Sequence, residues 1–194
     1  MTAMRQKTAK VFCMALVLLT VAFIFYNSAQ PVASSDEASE NVAEQIVSVL
    51  PSAQDATQTP RGMRAFVQQV RKAAHAVEFF ALGAELSVLF YLLHKKLRVQ
   101  TLWNTVSSAL AIAVADESIQ ILSGRGPKVQ DVLLDFCGAL AATALCWLLF
   151  GMIYAVRRRK KQKRGIYHGK IKADDHPRHE TGDHPFVGGH QMRG

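Results

Sequence analysis

The chain reads as an all-α polytopic membrane protein, a bundle of four transmembrane helices, on three observations. Its 194 residues are 49% hydrophobic, and the apolar ones gather in blocks at 11–26, 74–93, 102–122 and 132–156 instead of spreading in short periodic runs. A helix needs about 20 residues to cross about 30 Å of hydrocarbon, a length the last three blocks reach. Ionisable residues inside three blocks also fall near one end: His75 and Glu78 open the second, Asp116 and Glu117 close the third, and Asp131 and Asp135 open the fourth. The second and fourth helices run opposite to the third, so these ends share one face of the bilayer. A charge in hydrocarbon is costly unless it is paired or lines a wet cavity. Three helices bearing that cost at one depth predict a shared polar site.

The first block is shorter, but Lys10 can snorkel at one end and Tyr26 can anchor at the other. Arg5, Lys7 and Lys10 would also suit a signal peptide; Tyr26-Asn27-Ser28-Ala29-Gln30 is a poor cleavage site, which favours a retained span. The outer loop, 27–73, is polar and punctuated by Pro31, Pro51 and Pro60. Within it, Ser35 is placed to cap a short amphipathic helix reaching about Leu50, with Val42, Ile46, Val49 and Leu50 on one face. A second amphipathic stretch, 61–72, sets Met63, Phe66, Val67 and Val70 at helical spacing, and is expected to lie in the interface before turning into the second span. Residues 1–160 thus form the membrane domain. The basic, histidine-rich tail, 161–194, is expected to be disordered and cytoplasmic, and its His168, His176, His179, His184 and His190 lack regular metal-ligand spacing.

The net charge of +8 does not indicate nucleic acid, because the basic residues sit at membrane edges, chiefly in Arg157-Arg158-Arg159-Lys160-Lys161. Arg5, Lys7 and Lys10 precede the first span, Lys95, Lys96 and Arg98 join the second and third, and the large cluster follows the fourth. With four spans these groups share one side, which the positive-inside rule makes cytoplasmic. The chain is therefore expected in the cell membrane with both termini cytoplasmic and its acidic helix ends facing out. Arg61, Arg64, Arg71, Lys72, Arg125 and Lys128 on the outer side do not reverse that balance. Cys13, Cys137 and Cys146 all lie inside spans without ligand spacing, and read as packing residues.

Helical periodicity refines the site. His75, Glu78, Leu82 and Glu85 form one stripe on the second span; Ala109, Ala113, Asp116 and Gln120, with Glu117 beside them, line the third; Asp131, Asp135, Gly138 and Ala142 line the fourth. Each helix is expected to turn this small or polar seam inward and keep Leu, Ile, Val and Phe for lipid. The turn 123–128 would set Arg125 beside the acids, where a guanidinium can bridge two carboxylates. The candidate pocket is His75, Glu78, Asp116, Glu117, Gln120, Arg125, Asp131 and Asp135. Its acids outnumber the obvious bases, which favours a ligand-facing pocket over a purely structural clasp. No cofactor is predicted, although a divalent cation held by carboxylates fits the residue types.

These residues resemble the VanZ-like family of bacterial membrane proteins. The resemblance runs from about 27 to 142 and rests on Lys72-Ala73-Ala74-His75, Glu78-Phe79-Phe80-Ala81-Leu82-Gly83, Asp116-Glu117-Ser118-Ile119-Gln120, Gly124-Arg125, and Asp131 with Asp135 and Gly138. Ser28-Ala29-Gln30-Pro31, with Ser35 and Ser39 downstream, is similar to the polar segment after the family's first span. Ala76 stands where the family usually has an aromatic residue, Phe79 or Phe80 where it often has Tyr, and Glu85 lies outside the pattern. The family takes its name from a member associated with resistance to the glycopeptide teicoplanin, which implies a role in the cell envelope.

The expectation that follows is a non-enzymatic envelope protein recognising a polar or lipid-linked head group, or modulating the access of a glycopeptide antibiotic. Membrane lipids or lipid-linked precursors would be its partners, and Arg61, Arg64, Arg71, Lys72 and Arg125 would face phosphate. The alternative is an intramembrane enzyme acting on a lipid-linked substrate. His75 would then be its base and Glu78 or Asp116 its acid, or His75, Glu117 and Asp131 would hold a cation. No nucleophile with a paired base stands at recognisable spacing, so the non-enzymatic reading leads. A transporter is less favoured, since four spans without a repeat offer little for alternating access. Small-residue seams permit a homo-oligomer without requiring one. In intact cells, a membrane-impermeant thiol reagent should label a single cysteine introduced in 123–128 and spare one in 95–98; the reverse pattern would invert the assigned orientation.

Overall fold

The computed structural model describes residues 2–95, 98–122 and 128–174. Their secondary structure is helical throughout: α1 (Thr2–Ala29), α2 (Val32–Val49), α3 (Pro51–Thr57), α4 (Pro60–His94), α5 (Val99–Leu122) and α6 (Val129–Asp174). Four stretches are long and apolar enough to cross a membrane, Met4–Ala29, Pro60–His94, Val99–Leu122 and Val129–Lys160. The molecule is a multi-pass, all-helical membrane protein.

The prolines expected to punctuate the loop start its helices. Pro31 is the N-cap residue of α2, while Pro51 and Pro60 open α3 and α4, where a missing N–H breaks no intrahelical bond. Thr59 caps α4 by accepting a 3.0 Å hydrogen bond from the Gly62 N–H. Ser35 is not the cap of α2. That helix begins at Val32, and the Ser35 N–H already donates to the Pro31 carbonyl at 3.1 Å. The inward face differs too: Ala43 is buried, Ile46 and Val47 are half-buried, and Val42, Val49 and Leu50 are exposed.

The 61–72 stretch is also corrected. It does not turn before the second span but continues it, because α4 runs unbroken from Pro60 to His94. No proline interrupts that run after Pro60, so the backbone ladder has no reason to break. Its apolar face, with Val67 buried and Met63, Phe66 and Val70 half-buried, belongs to a helix packed against α2 and α3.

α4 is the axis of the bundle. It packs against α1, α2, α3 and α5, and α6 approaches it through glycine. A methyl group placed on Gly83 would fall on the Ala139 carbonyl, and one on Gly138 would lie 2.5 Å from the Ala76 carbonyl. Backbones this close need residues without side chains at the crossing. The small seams of α5 and α6 face inward as expected, with Ala109, Ala113, Asp116, Asp135, Ala139 and Ala142 all buried. Large residues were expected to face lipid. On α1, α5 and α6 many do, including Leu19, Phe23, Val114 and Leu148, but α4 departs from the rule. Surrounded on several sides, it buries Phe79, Leu82, Leu86 and Leu89, while His75, Glu78 and Glu85 of its polar stripe are half-buried.

The chain divides into two compact units, Met1–Met152 and Ile153–Gly194. In the second, the described residues 153–174 are helical, whereas the sequence suggested disorder from 161. Lys, Arg, Gln, Ile and Ala are adequate helix formers, and no proline occurs before Pro177. Residues 175–194, with four of the five tail histidines named above, lie outside the described residues.

Gly83→Leu and Gly138→Leu should each force α4 and α6 apart and destabilise the bundle by about 2–3 kcal/mol or more. Gly151→Ala, where an added methyl meets nothing within 4 Å, should leave thermal unfolding in detergent unchanged. Equal behaviour of the three variants would refute the glycine-mediated crossing.

Candidate functional site

The acids predicted to converge do so. Asp116 and Glu117 come from the end of α5, Asp131 and Asp135 from the start of α6, and His75 and Glu78 from α4. Asp116 is fully buried, and Glu117 and Asp135 are nearly so. Carboxylates this sheltered need donors or cations close by, and the structure supplies them piecemeal. Gln120 Nε2 donates to Asp116 Oδ2 at 2.8 Å, one helical turn away. The Lys128 backbone N–H, at the mouth of α6, donates to Glu117 Oε1 at 2.6 Å, which places a carboxylate at the positive end of that helix. Lys72 Nζ pairs with Asp131 Oδ1 at 2.8 Å, tying α4 to the first turn of α6.

Glu78 is answered from α1, where Asn27 Nδ2 donates to its Oε1 at 2.9 Å, while its Oε2 lies 3.7 Å from His75 Nδ1. Two turns deeper, Thr20 Oγ1 donates to Glu85 Oε1 at 2.9 Å. Asp116 Oδ1 and Glu117 Oε2 are buried and have no hydrogen-bond partner among the described residues. His75, Asp116 and Asp135 each offer a ligand atom, all within 4.8 Å of one another.

A groove of about 370 Å³ leads to this cluster between the end of α1, the start of α2 and α4. Its walls carry the amides of Asn27 and Gln30, the hydroxyls of Ser34, Ser35 and Ser39, and Arg71, and it ends at His75 and Glu78. Arg71 reaches across to Asp36 on α2 at 2.8 Å, which holds the two walls together. A second, smaller void of about 10 Å³ lies beyond, lined by Lys72, His75, Gln120, Asp131 and Asp135 among others. That is room for roughly one water molecule. His75 borders both spaces.

Seven of the eight predicted pocket residues are placed by the structure, and Arg125 lies outside the described residues. Glu85, on the same stripe of α4 as Glu78, sits against α1 and lines neither space. Asn27 and Thr20 were not singled out from sequence. Each is a lone polar residue on or beside an apolar helix, and its role emerges only when an acid is set opposite. Lys72 was read as a surface cation and is the partner of Asp131.

Fold and site together define a polytopic helical membrane protein with a polar cleft running into a buried carboxylate cluster. The VanZ/LLP1 family model matches residues 12–150, most of the chain and all of this bundle except its extremities, so the protein belongs to the VanZ/LLP1 family. No curated protein and no solved structure matches it.

Replacing Gln120 with Leu should destabilise the protein by about 1–3 kcal/mol, because Asp116 Oδ2 loses its 2.8 Å donor in a buried setting. Ser118→Ala removes only an exposed hydroxyl bonded back to the Val114 carbonyl at 2.7 Å, and should stay within about 0.5 kcal/mol of wild type. Unfolding in detergent checks the contrast, and similar losses would contradict it.

Proposed function

We propose that the protein recognises the polar head group of an envelope lipid or lipid-linked precursor, admitted through the groove between α1, α2 and α4, with the acid–histidine cluster at its inner end. The observation that carries this reading is the groove itself, about 370 Å³ in volume, lined by amides, hydroxyls and Arg71 among the apolar Ala38, Val42, Val70 and Ala74, with His75 and Glu78 also on its wall. The Ser34 and Ser39 hydroxyls donate to the Pro31 and Ser35 carbonyls and keep oxygens free to accept, which suits a hydroxyl- or amine-bearing group, and Arg71, paired with Asp36, has further N–H groups for anionic oxygen. The groove lies at the level where α4 leaves its apolar stretch, between Ala74 and Glu78. Such a position suits a head group whose acyl chains stay in the bilayer. The positive-inside balance supports an extracytoplasmic position for this end, with both termini cytoplasmic. A glycopeptide antibiotic directed at envelope precursors would then meet the protein on the same side.

Co-purifying lipids, released and identified by mass spectrometry, test the proposal. A specific polar lipid or precursor should accompany the wild type and fall at least tenfold with Ser35→Leu or Ser39→Leu, which fill the groove, while thermal stability is kept. Tenfold corresponds to about 1.4 kcal/mol of lost binding. Retention of the same lipid profile by both groove-filled variants would overturn the reading, as would a wild type carrying only bulk membrane lipid.

A further inference from the structure

We infer that His75, Asp116 and Asp135 form a binding site for a divalent cation of the manganese or zinc class. The inference goes beyond head-group recognition and stands on separate observations. The three residues come from three helices, α4, α5 and α6, and present ligand atoms all within 4.8 Å of one another. Ligands on one first-row divalent ion, each at about 2.0–2.2 Å, lie at most about 4.4 Å apart, so atoms grouped within 4.8 Å need only a small side-chain movement to share an ion. Two of the three residues, His75 and Asp135, border a void of about 10 Å³ together with Gln120, Asp131, Arg71 and Lys72, with room for roughly one water-sized occupant.

The second line of argument is a buried oxygen without a partner. Asp116 is fully buried, and Gln120 takes its Oδ2, which fixes the carboxylate plane. Its Oδ1 accepts from no donor among the described residues. An orphaned carboxylate oxygen in so sheltered a place is costly, and it lies in the one grouping of described residues whose spacing suits a metal ion. Gln120 is thus a positioning residue, holding the acid in a fixed rotamer as outer partners of metal ligands do.

Charge points the same way. Asp116, Asp135, Glu117 and Glu78 converge with Asp131, and among the described residues only Asp131 is paired with a lysine, Lys72. Two carboxylates with one imidazole would balance a dication and leave coordination positions open. Such a mixed nitrogen and oxygen set suits Mn²⁺ or Zn²⁺, whereas Ca²⁺ and Mg²⁺ favour oxygen throughout. The competing arrangement is a proton shared by Asp116 and Asp135, which needs no metal.

The test uses the full chain in detergent–lipid micelles, stripped with chelator and titrated with MnCl₂ while free Mn²⁺ is followed by electron paramagnetic resonance, with ZnCl₂ as competitor. One saturable site per chain is expected. Asp116→Asn and Asp135→Asn should each weaken it at least tenfold, and Glu44→Gln, an exposed acid on α2, should not. Should the Asn variants fail to fold, pulsed resonance on the wild type decides, since bound Mn²⁺ should couple to a single histidine nitrogen. Absence of saturable binding, affinity unmoved by both folded Asn variants, or bound Mn²⁺ without nitrogen coupling would each overturn the inference in favour of the shared proton. A wild type that binds no cation yet carries a groove-dependent lipid would sink this inference alone, leaving head-group recognition standing.

Discussion

The structure depends on one constraint: a carboxylate placed inside a helix bundle must be answered at once by a donor or a cation, because the surrounding medium gives it nothing. Glu78 and Glu85 are answered by Asn27 and Thr20 of α1, Asp131 by Lys72 of α4, Glu117 by the backbone N–H of Lys128 just before α6, and Asp116 by Gln120 on its own helix. Three of these five bonds join different transmembrane helices. The polar contacts therefore fix rotation and depth of each helix as well as shelter charge, which apolar packing against lipid-like neighbours does poorly.

That network requires close backbones, and the glycines provide them. With α6 lying on α4 at Gly83 and Gly138, the Lys72 ammonium reaches the first turn of α6, and His75 and Asp135 bring polar atoms within 4.8 Å of each other. The side chains back-bonded along the same helices, Ser87 to the Gly83 carbonyl and Thr143 to the Ala139 carbonyl, keep buried hydroxyls satisfied without widening the crossing. Farther along, where no acids occur, Tyr91 and Phe150 stack at 4.6 Å and close the contact with bulk instead. Polar site and packing seam are one arrangement.

Much of this was legible in the order of residues. The stripes of α5 and α6 follow helical spacing, and a small or acidic residue in an apolar span has few reasons to face lipid, so Ala109, Ala113, Asp116, Asp135 and Ala142 were readable as inward. The spans were equally plain from length. What escaped was anything set by the relation between helices. Asn27 and Thr20 matter only because α1 presents them to Glu78 and Glu85, and one residue of rotation would undo both. The α2 face moved for a similar reason: its packing against α4 and α3, not its own composition, sets Ala43 inward in place of Val42. The turn expected before the second span failed because amphipathic composition reports which face is apolar, not whether the backbone bends. Leu82 and Phe79 are buried because α4 is ringed by neighbours, a fact of topology that its own sequence does not state.

The partners of the acids also have an order in time. A ribosome delivers α1 before α4 and α4 before α6. When Glu78 and Glu85 enter the bilayer, the Asn27 amide and the Thr20 hydroxyl already wait there, and Lys72 precedes Asp131 in the same way. Asp116 carries its donor with it in Gln120, and Glu117 waits only for Lys128, eleven residues later. None of these five acids must wait for a donor from a helix far downstream. For these five acids biogenesis can therefore proceed from the amino end with a donor already at hand or close behind, and a circular permutant beginning at α4 would forfeit that advantage for Glu78 and Glu85.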